Sequence, residues 1–338
     1  MRLRRSVVTG PGIRRVRRGK GFSYYDADDE LVTDDAALAR IKELVIPPAW
    51  KNVWISAHSH GHIQAVGTDV AGRRQYLYHQ RWQEDRSEEK FDRVLELSSL
   101  LPAWRAQIVE DLDGRGLGRD RVTALALRLL DRGYFRAGGE TYAEDNNSYG
   151  VATLLCEHVS VAGAAVSFDF PAKSGVQRQW EVEDPAILRT VRALMRRNDR
   201  GDRLLVYRTK AGWADIHSDD LNARFKEMVG ADFSVKDLRT WHGTVLAAAA
   251  FADADPPSSE RADKKIESAV MKEVATELGN TPAVARGSYV DPRVVHAYED
   301  GLTIAAAARR AEKSRSDDQA QAILEKATAR LLRKVAKS

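Results

Sequence analysis

The sequence contains one cysteine, Cys156, among its 338 residues, so no disulfide can form within a single chain. This excludes the small disulfide-stabilised secreted domains and fits a reducing compartment. No apolar stretch approaches the roughly 20 residues that are needed to cross a bilayer. The basic N-terminus is not followed by the apolar segment of a secretory signal. We therefore expect a cytoplasmic protein with no membrane partner.

Two familiar kinds of catalytic motif are also missing, because the chain has neither a glycine-rich phosphate-binding loop nor a Gly-x-Ser-x-Gly nucleophile elbow. One pattern suggests a metal site: His58, His60 and His62 alternate, which on a strand would place the three rings on one face. No cysteine or carboxylate accompanies them, and Gly61 interrupts the pattern, which favours surface turn histidines. We expect neither a metal nor a cofactor.

Positive charge is concentrated at both ends of the chain. The net charge is only +4, but residues 1–20 carry eight basic residues and no acid, and residues 305–338 carry nine basic residues against four acids. Two basic ends around a nearly neutral body indicate a polyanionic partner such as nucleic acid. The alternative interpretation is that these ends are solvated and only keep the protein soluble.

Hydrophobic patterning divides the chain into two parts. Up to about residue 90, short aromatic or β-branched runs predict strands at FSYYD, NVWISA, GHIQAVGT and RQYLYH. TDDAALARIKEL predicts one short helix among them, with Thr33 as its cap. From Gln80 onward, apolar residues recur every three or four positions, which predicts helices. We place the domain boundary within RWQEDRSEEK, residues 81–90.

The second part is predicted to be mainly helical, with one strand-rich insert. In VAGAAVSFDFPAKSGVQRQWEVE, two alternating strands flank a turn, which predicts a β-hairpin with Lys173 at its tip. The predicted fold class is α+β, with a β-rich domain over 1–90, a helical domain over 91–300 and a basic tail over 301–338. The tail is expected to be a loosely attached helix or partly disordered. Cys156, in the apolar ATLLCEH, is expected to be a helical core thiol.

Several polar residues stand in apolar or glycine-containing contexts. Singly, each has an ordinary structural explanation: an arginine can cap a helix, a hairpin lysine can be solvated, and an asparagine after glycine suits a helix end. Together they suit the transfer of a phosphodiester to a protein hydroxyl, whose transition state is doubly negative. The set comprises Arg136 in RGYFRAGGETYA, Lys173 in PAKSG, Lys236 and Arg239 in VKDLRTWHGT, Asn280 in LGNTPAV and Tyr289 in ARGSYVDP.

Each residue type has a part in that reaction. Guanidinium groups bind the non-bridging phosphate oxygens, often through two parallel hydrogen bonds. Asn280 can add a neutral donor to the same oxygens, and Lys173 can protonate the departing 5′-oxygen. A tyrosine stores the phosphodiester as a phosphotyrosyl bond of similar energy, so the reverse step reseals the strand without ATP.

At these residues the chain resembles the bacterial members of the poxvirus-type DNA topoisomerase IB family, which shares its catalytic domain with eukaryotic topoisomerase I. The resemblance runs from GPGIRRVRRGKGFSYYDADDE through IPPAWKNVWI and GHIQAVGTDVAGRRQYLYHQRW to LGNTPAVARGSYVDPRVV. Only the tail after about Gly301 lies outside it. The specific part is the ordered set FRAGGETYA, FDFPAKSG, VKDLRT and GNTP, followed by a tyrosine nine residues after the asparagine.

The resemblance implies a role for each matching catalytic residue. Tyr289 is similar to the family's nucleophile, Arg136 and Arg239 to its two phosphate-binding arginines, and Lys173 to its general acid. Asn280 is a departure, because many relatives have histidine there. An amide can donate a hydrogen bond but cannot transfer a proton, so the resemblance implies a slower or more conditional enzyme rather than an inactive one.

The resemblance also implies how DNA is held. Lys236 resembles a lysine that contacts DNA and assists protonation of the leaving group. Gln75, Tyr76 and Tyr78 look like the strand that contacts bases in the major groove, and Tyr142 like a tyrosine that engages DNA near the cut. The implied protein is a monomeric, nucleoid-associated C-shaped clamp around duplex DNA. It would relax positive and negative supercoils by cleavage, swivelling and religation, without ATP or metal.

Two other functions are to be compared with this one. A tyrosine recombinase uses related chemistry, but recombinases usually carry His-x-x-Arg at the second arginine, where this chain has Lys236-Asp237-Leu238-Arg239. A DNA-binding protein with a decayed site would use the same basic ends and the same Gln-Tyr-x-Tyr strand. The presence of both arginines, the lysine and the tyrosine argues against decay, whereas Asn280 keeps that alternative open.

Overall fold

The computed structural model describes residues 2–198, 201–255 and 259–336, apart from the side chains of Tyr142, Glu144 and Ser174. The chain divides into two compact units, Met1–Lys90 and Phe91–Ser338. The first is rich in strands and the second is mainly helical, which confirms the predicted α+β class. Among the described residues, no helix is both long enough and apolar enough to cross a membrane.

The first unit is a five-stranded antiparallel sheet in the order β2-β1-β3-β4-β5, accompanied by one complete helix and by the first residues of a second helix that continues past Lys90. Its elements are β1 (Ile13–Arg18), β2 (Gly21–Tyr25), α1 (Asp35–Glu43), β3 (Lys51–Ile55), β4 (Ile63–Thr68) and β5 (Arg74–Tyr78). The four predicted strands and the predicted helix are all present. A small core joins the sheet to the helix through Ile13, Ile41, Val53, Ile55 and Ala65.

The cap of α1 differs from the prediction by one residue. The carboxylate of Asp34 accepts a hydrogen bond from the amide of Ala37 at 2.8 Å, so Asp34 and not Thr33 is the cap. Either residue type can cap a helix, but a carboxylate also interacts favourably with the positive end of the helix dipole. The Thr33 prediction was therefore wrong.

The second unit is built around a helix that is buried along most of its length. The helices are α2 (Gln80–Leu112), α3 (Arg119–Arg132), α4 (Glu140–Asn146), α5 (Pro185–Met195), α6 (Ser218–Val229), α7 (Val235–Asp253), α8 (Glu260–Leu278), α9 (Pro282–Ser288), α10 (Pro292–Glu299), α11 (Ala305–Ala311) and α12 (Asp317–Val335). Helix α2 continues through Pro102, so two apolar stretches of the sequence form one element. The central helix is α7, whose Leu238, Trp241 and Ala247 are inaccessible to solvent.

A three-stranded antiparallel sheet, β6 (Val159–Ala162), β7 (Ala165–Pro171) and β8 (Gln177–Val182), packs against the helices. Its β7–β8 hairpin pairs Pro171 with Gln177 and carries Lys173 in the turn, as predicted. A second hairpin of two four-residue strands, β9 (Val206–Thr209) and β10 (Gly212–Asp215), was not predicted, because such short strands show little periodicity. Cys156 lies half-buried in a 3₁₀ turn and not in an α-helix, which corrects that expectation.

The C-terminal segment is firmly packed, contrary to the expectation of a loosely attached helix. Leu332 of α12 is only 1% exposed. Glu325 accepts hydrogen bonds from Arg105 of α2 at 2.7 and 2.8 Å, and the same guanidinium donates to Asp131 of α3 at 2.8 and 2.9 Å. Arg105 lies 220 residues before Glu325 in the chain, so the sequence pattern around Glu325 shows only a charged, Ala-rich helix.

We expect Glu325→Gln to lower the free energy of unfolding by about 3 kcal/mol, because it breaks a buried ion pair of Arg105 while leaving the Asp131 pair in place. The matched control is Glu260→Gln, which breaks the exposed Glu260–Lys264 pair and should cost less than about 1 kcal/mol. Urea unfolding of the two variants measures both values. Equal losses in the two variants would show that α12 is not held by this pair.

Candidate active site

The loop after α3 positions Arg136 through close backbone contact. Gly138 has a φ of +90°, and a Cβ atom on Gly150 would lie 2.5 Å from backbone atoms of Gly138. Glycine at both positions lets the two backbones meet, and the amide of Val151 donates to the carbonyl of Arg136 at 2.8 Å. The following helix, α4, contains Tyr142, whose side chain lies outside the described residues.

Helix α7 carries Arg239 one turn after a well-formed N-terminus. The Asp237 carboxylate accepts hydrogen bonds from both the amide and the hydroxyl of Ser234 at 2.9 Å, which caps the helix. Arg93 of α2 pairs with the same carboxylate at 3.2 Å. These contacts fix the start of α7, and therefore the rotation that points Arg239 inward.

Arg239 is almost fully buried, with 4% of its surface exposed. One terminal nitrogen donates to the carbonyl of Tyr134, and the other donates to the carbonyl of Leu278 at 2.6 Å. The two carbonyls belong to the segments that lead into Arg136 and Asn280. Arg239 therefore joins the two loops that carry the other polar residues of the site.

The segment from Asn280 to Tyr289 is a tight turn followed by one short helix. Gly279 adopts the left-handed conformation, with φ of +59°, and ends α8. Thr281 caps α9, and Tyr289 closes it, its amide donating to the carbonyl of Ala285 at 3.0 Å. The nine-residue spacing between Asn280 and Tyr289 is thus spanned by a single rigid element.

Four of the predicted residues meet at this place. The guanidinium of Arg136 donates to the side-chain oxygen of Asn280 and, at 3.0 Å, to the carbonyl of Gly279. The guanidinium carbon of Arg239 lies 5.2 Å from the centre of the Tyr289 ring. The structure therefore brings Arg136, Arg239, Asn280 and Tyr289 together from three separate segments: the loop after α3, helix α7 and the segment from Asn280 to Tyr289.

The two arginines lie close together without a counter-charge. Among the described residues, no carboxylate forms an ion pair with Arg136 or Arg239. Burial, together with the nearby positive charge of Arg136, lowers the pKa of Arg239 to about 10. Burial likewise lowers the pKa of Arg136. Both groups remain charged at neutral pH, so the pair constitutes a preformed site for an anion.

Two donors at the site have no partner in the described part of the chain. They are the Nε of Arg239 and the side-chain nitrogen of Asn280, and both are buried. A buried donor without an acceptor costs about 1–3 kcal/mol. A ligand that offers several oxygens would satisfy both donors, and a phosphate group offers them in the required number.

The two predicted lysines are exposed and lie on segments that adjoin or carry residues of this cluster. Lys173 is exposed in the β7–β8 turn, and its neighbour Ala172 lines the same small cavity as Arg136 and Arg239. Lys236 is exposed on α7, one turn before Arg239. Neither ammonium group makes a hydrogen bond or an ion pair with a described residue, so both are available to a ligand.

Arg178 of β8 is a further cation that the sequence analysis missed. It lines the same cavity, and its guanidinium donates to the carbonyl of Gly133 at 2.9 Å. Burial lowers its pKa, and its charge acts on both Arg136 and Arg239. A signal was present, because strand alternation in QRQWEV places Arg178 on the same inward face as Trp180.

The backbone of α7 also supports Tyr289 directly. A Cβ atom on Gly243 would lie 2.9 Å from the carbonyl oxygen of Tyr289 and 3.0 Å from its Cβ. The hydroxyl of Thr244 lies 3.2 Å from the same carbonyl oxygen and accepts from the amide of Asp291 at 3.1 Å. Tyr289 is thereby held with 9% of its surface exposed.

In the first unit, alternation along β5 separates Gln75 from the two predicted tyrosines. Tyr76 and Tyr78 project from one face with their rings stacked 6.0 Å apart, and the guanidinium of Arg74 lies 5.6 Å from the Tyr76 ring. Gln75 points to the other face and donates to Asp69 at 2.9 Å. The exposed face of β5 thus offers two aromatic rings and one cation, without Gln75.

The histidines of SAHSHGH do not converge. Nε2 of His58 lies 2.8 Å from the guanidinium of Arg4, whereas Nδ1 of His62 accepts from the amide of Ser6 at 2.8 Å. In the described ranges, no three side chains of His, Cys, Asp or Glu are grouped to hold a metal ion. The rings of His58 and His62 thus make hydrogen bonds to the N-terminal segment and not to a shared ligand.

Comparison with known proteins adds independent information. Residues 79–316 match the family described as eukaryotic DNA topoisomerase I, catalytic core, and residues 21–69 match bacterial DNA topoisomerase IB, N-terminal domain. The DNA topoisomerase 1B of Acanthamoeba polyphaga mimivirus is 30% identical over 299 residues, which are 86% of this chain and 88% of the viral protein. The DNA topoisomerase 1 of Daucus carota is 24% identical over 159 residues, 46% of this chain and 19% of the plant protein.

The contact between Gly243 and Tyr289 leads to a stability prediction. Gly243→Ala should lower the free energy of unfolding by about 1–3 kcal/mol, since the added methyl group must displace backbone atoms of Tyr289. Gly287→Ala, two residues before Tyr289 and with open space around the added methyl, should be neutral or stabilise by up to about 1 kcal/mol. Urea unfolding distinguishes them, and an unaltered midpoint for Gly243→Ala would contradict the close contact.

Proposed function

Because the chain belongs to the type IB DNA topoisomerase family, we propose that it relaxes DNA supercoils of both signs through a transient 3′-phosphotyrosyl bond to Tyr289. The nicked strand would swivel about its partner before religation. We further propose that the reaction needs neither ATP nor a metal ion, and that the protein acts as a monomer.

The observation that carries this proposal is the buried guanidinium of Arg239 and the half-buried guanidinium of Arg136 beside a tyrosine, with no carboxylate among the described residues to neutralise them. A scissile phosphate placed there would supply the missing negative charge. It would also supply acceptors for the Nε of Arg239 and the side-chain nitrogen of Asn280. Such fixed donors are worth most in the transition state, when charge on the phosphate oxygens is greatest.

The proposed reaction exchanges one phosphoester bond for another. The Tyr289 oxygen bonds to phosphorus as the bond from phosphorus to the 5′-oxygen breaks, and the phenolic proton passes to water. Lys173 donates a proton to the departing 5′-oxygen, assisted by Lys236. The number of phosphoester bonds is unchanged, so reversal reseals the strand without an energy source.

We propose that Met1–Lys90 forms the DNA-binding domain and that residues 91–300 form the catalytic domain. The stacked Tyr76 and Tyr78 offer flat faces and hydroxyl groups for contacts in a groove of the duplex. Of the N-terminal arginines, Arg15 donates to three carbonyls within its own unit and is therefore structural. Arg14 also pairs with Asp29, and Arg4 contacts His58. The remaining basic residues of this stretch would be available for phosphates, so duplex binding should weaken steeply with salt.

Tyr289→Phe tests the nucleophile. The variant should bind duplex DNA with an affinity close to that of the wild type, but it should neither relax supercoiled plasmid nor form a covalent adduct that survives denaturant. The assay contains EDTA and no ATP, so relaxation by the wild type also tests independence from both. Persisting activity in Tyr289→Phe would remove this residue from its role, and an inactive wild type would favour a DNA-binding protein without catalysis.

Asn280 can be tested by three replacements that differ in what they offer the phosphate. Asn280→His should preserve or raise the cleavage rate, because a ring nitrogen can donate to the same oxygen. Asn280→Ala removes the donor, and Asn280→Asp replaces it by a negative oxygen, so cleavage should fall by about 100-fold or more in the aspartate variant. The measurement is single-turnover cleavage of a defined duplex. A collapse in Asn280→His would show that the geometry requires the amide.

A further inference from the structure

The position of Arg239 depends on a residue in an unusual backbone conformation. Arg239 donates to the carbonyl of Tyr134, and Tyr134 has a φ of +52°. A bulky aromatic residue in the left-handed region is strained by about 1–3 kcal/mol and persists only when its surroundings hold it there. In this conformation the carbonyl of Tyr134 accepts the hydrogen bond from Arg239, so the contacts that hold Tyr134 also hold the acceptor of Arg239.

The side chain that holds Tyr134 lies on the same helix as Arg239. The ring of His242, one turn further along α7, lies 4.8 Å from the ring of Tyr134 at an angle of 46°. His242 is 2% exposed, and its Nε2 lies 3.0 Å from Oδ1 of Asp131, which is 1% exposed; the two atoms are at ion-pair distance but outside hydrogen-bond geometry. Asp131 is itself fixed by two hydrogen bonds from Arg105.

We propose that Asp131, His242 and Tyr134 form a positioning set that fixes Arg239 for the cleavage step, an inference that rests on the proposed function. Asp131 orients the His242 ring, the ring holds Tyr134 in its strained conformation, and the carbonyl of Tyr134 holds the guanidinium. None of the three touches the phosphate; they act through Arg239.

Stability alone does not account for this arrangement. Buried polar groups are often no more stabilising than apolar side chains of similar volume, and an unstrained loop would need no support. The set instead connects Tyr134, which lies two residues before Arg136, to α7, the helix that carries Arg239. The positions of both proposed phosphate-binding arginines are thereby fixed relative to α7. Displacement of a catalytic group by about 1 Å can lower a rate by about 100-fold.

Three variants separate positioning from folding. Tyr134→Gly relieves the left-handed strain but removes the ring, so it should be folded yet cleave about 10- to 100-fold more slowly. His242→Phe keeps a ring against Tyr134 but loses the contact with Asp131, and it should also be slower. Tyr134→Phe keeps the ring and the carbonyl and should retain at least about a third of the wild-type rate. The dissociation constant for duplex should change by less than about threefold in all three.

A second readout does not depend on cleavage. The Nε proton of Arg239 can be followed by nitrogen–proton NMR, with Arg239→Lys to identify its signal. Its exchange with solvent should accelerate at least about tenfold in Tyr134→Gly and His242→Phe, and stay within about twofold of wild type in Tyr134→Phe.

The outcomes distinguish a failure of the positioning set from a failure of the proposed function. Unchanged exchange together with wild-type cleavage in Tyr134→Gly would overturn the positioning set, and so would a loss of duplex affinity that matches the loss of rate. If the wild type forms no covalent adduct at all, the proposed function fails instead. The exchange of the Arg239 proton then still decides whether these residues hold the guanidinium.

Discussion

Two guanidinium groups held side by side without a carboxylate constrain the rest of the second unit. Arg136 and Arg239 repel one another and lose hydration on burial, and both effects lower the pKa of Arg239. The fold holds them with the carbonyls of Tyr134, Leu278 and Gly279, which accept hydrogen bonds but carry no net charge. Because these partners do not neutralise the arginines, the positive potential remains for a ligand.

Other arginines in the same unit do have carboxylate partners. Arg105 pairs with Asp131 and Glu325, and Arg128 pairs with Asp184 and with a carboxylate of α12. Those positive charges are neutralised by carboxylates, and the resulting ion pairs join α2 and α3 to α12. The same residue type therefore serves as a structural connector where a carboxylate is present and as an anion site where none is. Local sequence does not distinguish the two uses, since the partners are far apart in the chain.

The sequence predicted those parts of the molecule that depend on local pattern. Strand alternation, the β7–β8 hairpin and the helical periodicity after Gln80 gave the fold class. The ordered motifs gave four residues that the structure places together, Arg136, Arg239, Asn280 and Tyr289. Features decided by distant contacts were missed: the packing of α12 depends on Arg105, and the relation of His242 to Asp131 and Tyr134 spans more than a hundred residues. The assignment of catalytic roles to these residues remains a prediction.

The distribution of the site along the chain has a consequence for its synthesis. Arg136 and Arg239 are translated before Asn280 and Tyr289, and Glu325, which completes the pairing of Arg105, comes later still. Synthesis proceeds at about 5–20 residues per second, and a domain generally folds as a unit. A nascent chain that has reached only the end of α7 therefore holds the two arginines without the segment that carries Asn280 and Tyr289. The two arginines therefore gain their hydrogen bonds to the carbonyls of Gly279 and Leu278 only after α8 has been synthesised, and Arg239 meets the Tyr289 ring only after α9.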